Sequence, residues 1–284
     1  MQTKTRKPLA VIFAVLAALL LGLLCIRPGY YLYRELEYKF GDPSEEAQMV
    51  HAYADAVGIA YGKYPKDLIK LLETSPEARD FVLDYPFRED MEIDLSAYDQ
   101  ATVPLFLQWD PMWGYETYGS SYLAVTGCGP TCLAMAGYYL TDDEGMNPKA
   151  IAEFAEEGGY YAKGYGSSWT LISEGAEKLG LTAKELPLVK KKMVDAVEAG
   201  NPVILALGKG DFTTTGHYIV LTSWNGEAFT VNDPNSRERS SQLWTYEQLE
   251  GQIRNIWAIS KWGVRSEELG VFLDLCAPHL KYNS

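Results

Sequence analysis

Two apolar runs, HYIVLTSW and EAFTV, flank the dipeptide Asn225–Gly226, and no other feature restricts the fold of this chain as tightly. Asn-Gly supplies the positive backbone angles of a tight reversal, so the two runs pair as an antiparallel hairpin. PVILAL before them is a short continuous apolar run, and NIWAISKW after them reads as a last strand. Upstream, PTCLAMAGYYL reads as a buried helix. NPKAIAEFAEE, WTLISEGAEKLG and VKKKMVDAVEAG are further helices, each with a glycine nearby to stop it. VPLFLQW alternates like a strand. Helices followed by an antiparallel sheet predict an α+β domain over residues 101–265, with 266–284 as a C-terminal tail.

The 284 residues suffice for such a domain and a smaller appendage. Lys4, Arg6 and Lys7 precede PLAVIFAVLAALLLGLLCI, residues 8–26, which carries no charge. As a helix this run spans roughly 28 Å, close to the hydrocarbon thickness of a bilayer. The basic tip, residues 1–7, predicts a cytoplasmic N-terminus. The run ends in LLCIRPGYYLYR, without the small residues of a cleavage site. Leu24 stands before Cys25, where a lipoprotein signal needs a small residue, and Tyr30, Tyr31 and Tyr33 suit an interfacial aromatic belt. The expectation is an uncleaved transmembrane signal-anchor in the cell membrane, single-pass, with the rest of the chain extracytoplasmic. Residues 27–100 then form a stalk and a helical preamble. SEEAQMVHAYADAVGIAY, YPKDLIKLLE and SPEARDFVLDY are its helices, the last with Ser75 as cap and Pro76 at the first helical position.

The formal net charge of −13 leaves no basic stripe to displace counterions from phosphates, so a nucleic-acid partner is not expected. Four cysteines (Cys25, Cys128, Cys132 and Cys276) are too few for a disulfide scaffold. There is no CxxC and no histidine pair among three histidines, so no metal site is expected, and no cofactor. Cys128 and Cys132, four apart on one helix, share a face but cannot bridge without distorting the turn.

Those two thiols are unequal. In GCGPTC, Cys128 stands at the mouth of the helix, where unpaired N–H groups and the dipole favour a thiolate. Pro130 suits the first turn, and Gly127 and Gly129 leave room beside the sulfur for a substrate backbone. Cys132 falls one turn inside, among Leu133, Met135 and Ala136, and reads as packing. A nucleophilic thiol needs a base. His51 lies on the preamble helix and His279 in the tail, whereas His217 opens a strand directly after TTTG. The hairpin folds the Asn232–Asp233 end back towards His217, so Asp233 is the natural group to orient it. Asn232 and Asn235 compete for that role, and Asp233 can also be read as a turn residue before proline. An oxyanion needs donors: the Cys128 N–H is one, and Gln108 in FLQWDPMW is the candidate second, against a reading as a polar residue on a strand end. Trp109, Trp113, Tyr115, Tyr118 and Trp169 either line a cleft or pack.

GCGPTCLAM, GHYIVLTSW and VNDPNS, in that order, with QWDPMW before them, resemble family thirty-nine of the cysteine peptidases. This is the papain-like, bacteriocin-processing (double-glycine) group, in its stand-alone bacterial form. The resemblance covers roughly residues 101–262. It implies a papain-like fold with a catalytic helix packed on an antiparallel sheet. It further implies a nucleophile at Cys128, a base at His217 and an acid at Asp233. Processing members usually carry the oxyanion glutamine six residues before the cysteine, a position held here by Tyr122. The expected function is a membrane-anchored, extracytoplasmic cysteine peptidase acting on a peptide or protein, cell-wall peptides among the candidates. The alternatives are an amidase or transamidase on the same scaffold and a non-enzymatic envelope-tethered binding module.

Overall fold

The computed structural model describes residues 26–164 and 166–262. The expected anchor at 8–26, apart from Ile26, lies outside the described residues, as do the tail 266–284 and His279. Among the described residues no helix is long and apolar enough to cross a membrane. The chain divides into two compact units, Met1–Phe87 and Arg88–Ser284.

The described part of the first unit is helical. Residues 26–40 form α1, followed by α2 (Glu45–Ala56), α3 (Lys66–Thr74) and α4 (Arg79–Asp84). Ser44 caps α2 by accepting the Ala47 N–H at 3.3 Å, and α3 buries Leu68, Ile69, Leu71 and Leu72. Ser75 does not act as the expected cap. It makes no side-chain bond to the helix start, because Pro76 opens a 3₁₀ turn whose Ala78 N–H bonds the Ser75 carbonyl at 3.0 Å. His51 in α2 is taken up within this unit, 2.7 Å from Glu35 and 3.3 Å from Asp55 and stacked on Tyr38.

The second unit opens with a hairpin of two short strands, β1 (Thr117–Tyr118) and β2 (Ser121–Tyr122). The helices α5 (Leu123–Thr126), α6 (Cys128–Thr141) and α7 (Pro148–Glu157) follow, then a second small hairpin, β3 (Tyr161–Ala162) with β4 (Gly166–Ser167). WTLISEGAEKLG runs as a π-turn over Leu171–Gly175 into the short α8 (Ala176–Lys178). The chain continues as β5 (Leu181–Glu185), α9 (Lys190–Glu198), β6 (Val203–Leu207), β7 (His217–Trp224), β8 (Phe229–Asn232), α10 (Arg237–Ser240), β9 (Leu243–Trp244), α11 (Tyr246–Leu249) and β10 (Ile253–Lys261). Six of these strands form one antiparallel sheet in the order β5-β10-β6-β7-β8-β9.

PVILAL reads as an unbroken apolar run because both faces of β6 are covered. Ile204 and Ala206 join the cluster around α6 and α7, while Val203, Leu205 and Leu207 join Met193 and Val197 of α9. Strand β7 divides the same way, with Tyr218 and Val220 on one side and Ile219 and Leu221 on the other. The Asn225–Gly226 turn closes through the Asn225 side chain, which accepts the Glu227 and Ala228 N–H groups at 2.9 and 2.8 Å. Gly226 has φ +99°, a conformation an L side chain would strain.

The expected strand set is wrong at one segment and incomplete at another. VPLFLQW forms no strand and joins no sheet, and it ends in a turn at Gln108 and Trp109. Pro104 cannot donate to a ladder, and the Val103 and Pro104 carbonyls are taken instead by Asn232 Nδ2 at 3.0 and 2.9 Å. Conversely, LTAKE forms the edge strand β5. Its small alternating segment has too little apolar signal to be read as a strand until β10 supplies a partner.

Candidate active site

Helix α6 is buried along almost its whole length. Its first residue is Cys128, half-buried, and no side chain caps the helix start at Gly127. The N-terminal N–H groups therefore keep their capacity for a negative charge at the sulfur. One turn deeper, Cys132 is fully buried, and burial pushes its thiol well above the ordinary range, with Cys128 and Asp233 adding to the effect. The expected inequality of the two thiols is a matter of solvent access.

The glycines around Cys128 serve packing rather than the expected open space. A Cβ on Gly129 would lie 2.5 Å from Ser167 Oγ, and one on Gly127 would lie 2.5 Å from the Leu123 carbonyl oxygen. Ser167 is itself fixed: its Oγ bonds Tyr118 Oη at 2.8 Å and its carbonyl accepts Tyr218 Oη at 3.2 Å. Burial holds both phenols well above the ordinary range, in Tyr118 against the Ser167 hydrogen bond and in Tyr218 with the charge of Cys128 adding to it, so both stay protonated. Of the aromatic residues that could line a cleft, Trp109, Trp113 and Tyr118 are buried, and Trp169 is 49% exposed against Trp257.

His217 begins β7, where it is paired with Leu207 across the ladder. It is buried, and its Nε2 lies 2.7 Å from Oδ1 of the fully buried Asp233. Burial opposes a charge on this ring. The charge and hydrogen bond of Asp233, together with a hydrogen bond and charge from Cys128, outweigh it and raise the imidazole pKa. For Asp233, burial alone would raise the carboxyl, but His217 and then Arg239 bring it below the ordinary carboxylate value. The structure thus brings Cys128, His217 and Asp233 together around one imidazole.

Asp233 follows the end of β8 and opens a turn in which its Oδ1 also accepts the Asn235 N–H at 2.8 Å. Of its two competitors, Asn232 is committed elsewhere, with its Nδ2 on the Val103 and Pro104 carbonyls, while Asn235 is held through its backbone, its N–H on Asp233 and its carbonyl accepting Trp109 Nε1 at 3.3 Å. Gln108 is buried between the two sides of the site. Its backbone N–H bonds the Pro234 carbonyl and its Nε2 bonds the Ala124 carbonyl, both at 2.7 Å. Its Oε1 has no protein partner among the described residues.

Sequence reasoning missed Arg239, whose Nε donates to Asp233 Oδ2 at 2.5 Å from the short helix α10. The available signal was an arginine six residues after the acid, beyond a turn and a serine cap (Ser236 accepts the Arg239 N–H at 3.0 Å). Among the described residues no cluster of histidine, cysteine, aspartate or glutamate could hold a metal ion.

Comparisons with known proteins agree in kind. The fold is similar to the crystal structure of the peptidase domain of Streptococcus ComA, a bifunctional ABC transporter of a quorum-sensing pathway. The identity is 21% and the TM-score 0.35, over 47% of this chain and 89% of that one. It is also similar to a protein from Bacillus anthracis described as a C39-like peptidase, at 18% identity and TM-score 0.34, over 61% of this chain and all of that one. No curated protein matches. The model of the Peptidase_C39-like family matches residues 100–262, more than half of the chain and the span that holds every residue of the site. The chain belongs to the Peptidase_C39-like family.

Proposed function

We propose that this protein is a cysteine peptidase in which Cys128 is the nucleophile, His217 the base and then the acid, Asp233 the group that orients it, and Gln108 an oxyanion donor. Membership in the C39-like family suggests cysteine peptidase activity. The observation that carries the assignment of roles is the 2.7 Å contact of His217 Nε2 with the buried Asp233, with Cys128 on the same ring. Nε2–H donates to the carboxylate, which leaves Nδ1 to exchange the proton of Cys128. Nδ1 takes the proton of Cys128 as sulfur attacks the carbonyl carbon. The resulting oxyanion is met by the Cys128 N–H and by the Nε2 hydrogen of Gln108 not used on Ala124. His217 returns the proton to the leaving amine, and the thioester is then hydrolysed by a water that gives its proton to Nδ1. Flipping the Gln108 amide would set two acceptors against each other at Ala124, so the nitrogen stays where a donor is needed. A buried amide with one unmatched oxygen is costly, which suits a site residue better than packing.

The domain acts outside the cytoplasm on a peptide or protein, tethered by segment 8–26. The uncharged run and the basic residues Lys4, Arg6 and Lys7 support this placement. The test is a screen of peptides and cell-wall fragments with the wild-type protein and Cys128→Ala. Cleavage by the wild type alone is expected, and equal product from both would remove Cys128 from the mechanism. Product joined to an added amine would assign transamidation in place of hydrolysis.

A further inference from the structure

We infer that Arg239 is a positioning residue of this site: it fixes the plane of the Asp233 carboxylate and with it the orientation of His217, and its permanent charge acts on the same cluster. The inference rests on the peptidase reading above and goes beyond it in assigning a residue outside the expected constellation. Both carboxylate oxygens are engaged. Oδ1 receives His217 Nε2 at 2.7 Å and the Asn235 N–H at 2.8 Å, and Oδ2 receives Arg239 Nε at 2.5 Å. Without the bond to Oδ2, the carboxylate can pivot about its Cβ–Cγ bond, and the imidazole it holds moves with it.

Arg239 is built for one direction. Its guanidinium lies 5.9 Å from the Phe212 ring centroid, its carbonyl accepts Trp244 Nε1 at 3.0 Å, and Phe212 and Trp244 pack together at 4.4 Å. Its Nη2 is buried and has no hydrogen-bond partner among the described residues. A guanidinium placed only to neutralise a carboxylate would pair through two nitrogens in a fork. Here Nε alone makes the bond, and the aromatic pair fixes the approach. Four titratable groups face Asp233 or the ring it holds: His217 from β7, Cys128 and Cys132 from α6, and Arg239 from α10. Arg239 is the one whose charge is fixed at every working pH. Its cation favours the ionised carboxylate and, more weakly, the thiolate, and it opposes protonation of the ring. Its removal therefore moves all of these ionisations to higher pH.

The experiment measures the pH profile of iodoacetamide alkylation of Cys128 in the full chain, for the wild type, Arg239→Gln and Arg239→Lys, with folding checked by thermal melting. The wild-type profile supplies the reference midpoint and rate. In Arg239→Gln its midpoint should rise by about 0.5–1 pH unit, with alkylation slowed several-fold at pH 6. Arg239→Lys, which restores the cation without the Nε geometry, should return the midpoint while the rate stays below wild type. An Arg239→Gln profile with an unshifted midpoint, whatever its amplitude, would overturn the inference and leave Arg239 a structural ion pair. If Arg239→Gln does not fold, Arg239→Lys decides: wild-type rate and midpoint together overturn the positioning role. A folded wild-type protein in which iodoacetamide does not label Cys128 would instead defeat the peptidase reading itself.

Discussion

Replacing Asp233 by asparagine removes one charge and almost no volume, which makes it the sharpest probe of the site. The carboxylate accepts three hydrogen bonds, from His217, Asn235 and Arg239, and is fully exluded from solvent. An amide cannot accept all three. With its oxygen towards His217 and Asn235, its NH₂ faces the Arg239 N–H. Turned the other way, its NH₂ faces the Asn235 N–H and forces His217 to move its proton from Nε2 to Nδ1, so the ring can no longer take the Cys128 proton. Either way a buried cation loses its partner, at about 3–5 kcal/mol. For a domain of this size that is a fall in melting temperature of about 6–20 °C. The pH dependence carries the sign. In the wild type His217 is held above its ordinary value near 6.5, so its contribution is fully present below pH 6.5 and is lost as pH rises through the folded value. The Asp233 contribution is present above about pH 3.9 and is lost only as pH falls through its lowered folded value. In Asp233→Asn, only Cys128 still opposes burial, the largest single influence on His217, so the charged ring loses most of its support and the variant weakens relative to wild type as pH drops below about 6.5. The stability gap between the two proteins should therefore be largest near pH 5–6 and should shrink towards pH 9. Urea unfolding at pH 5.5, 7 and 9 measures it. Alkylation of Cys128 at pH 6 should fall by at least about 100-fold. A gap independent of pH, or a variant alkylated at the wild-type rate, would refute the reasoning.

Three further outcomes follow from the same geometry. Gln108→Ala should lower kcat by about 10²–10³ with KM changed only a few-fold, because the donor acts on the oxyanion rather than on bound substrate; an unchanged kcat would return Gln108 to a packing role. Cys132→Ala should leave Cys128 alkylation within twofold of wild type and cost about 1 kcal/mol in urea unfolding, and mass mapping of the wild type should find label on Cys128 and none on Cys132. Gly129→Ala should cost about 1–3 kcal/mol through its contact with Ser167, and adding Ser167→Gly should recover part of that loss; a double variant no more stable than Gly129→Ala would show that the crowding lies elsewhere.

What the sequence made legible is what local rules control. The Asn225–Gly226 turn has a φ requirement that few residues meet, and it delivered His217 to the neighbourhood of Asp233. The unbroken apolar run of α6 and the small residues before it marked Cys128 as the helix mouth. The failures share a cause. VPLFLQW has the alternation of a strand, but its carbonyls are claimed by Asn232, about 130 residues away in the chain, and alternation cannot report a distant amide. Gly129 offers room that Ser167 then fills, and nothing near GCGPTC shows that. Arg239 reaches Asp233 only because a turn and a short capped helix fold it back.

The position of Gln108 shows the same principle at the centre of the site. Measured along the chain it is twenty residues from Cys128, and the place a glutamine usually takes is held by Tyr122. Its approach, however, runs through the loop that carries the acid. The Gln108 N–H is bonded to Pro234, Trp109 Nε1 to the Asn235 carbonyl, Arg237 lies 4.5 Å over the Trp109 ring, and Asn232 pins residues 103 and 104 just upstream. QWDPMW and VNDPNS are therefore two halves of one interlocked structure. The hairpin fixes one half, and the second half brings the amide with it. A residue docked in this way is indifferent to its chain distance from the nucleophile, since its position depends on Asp233's loop and on the single bond to Ala124.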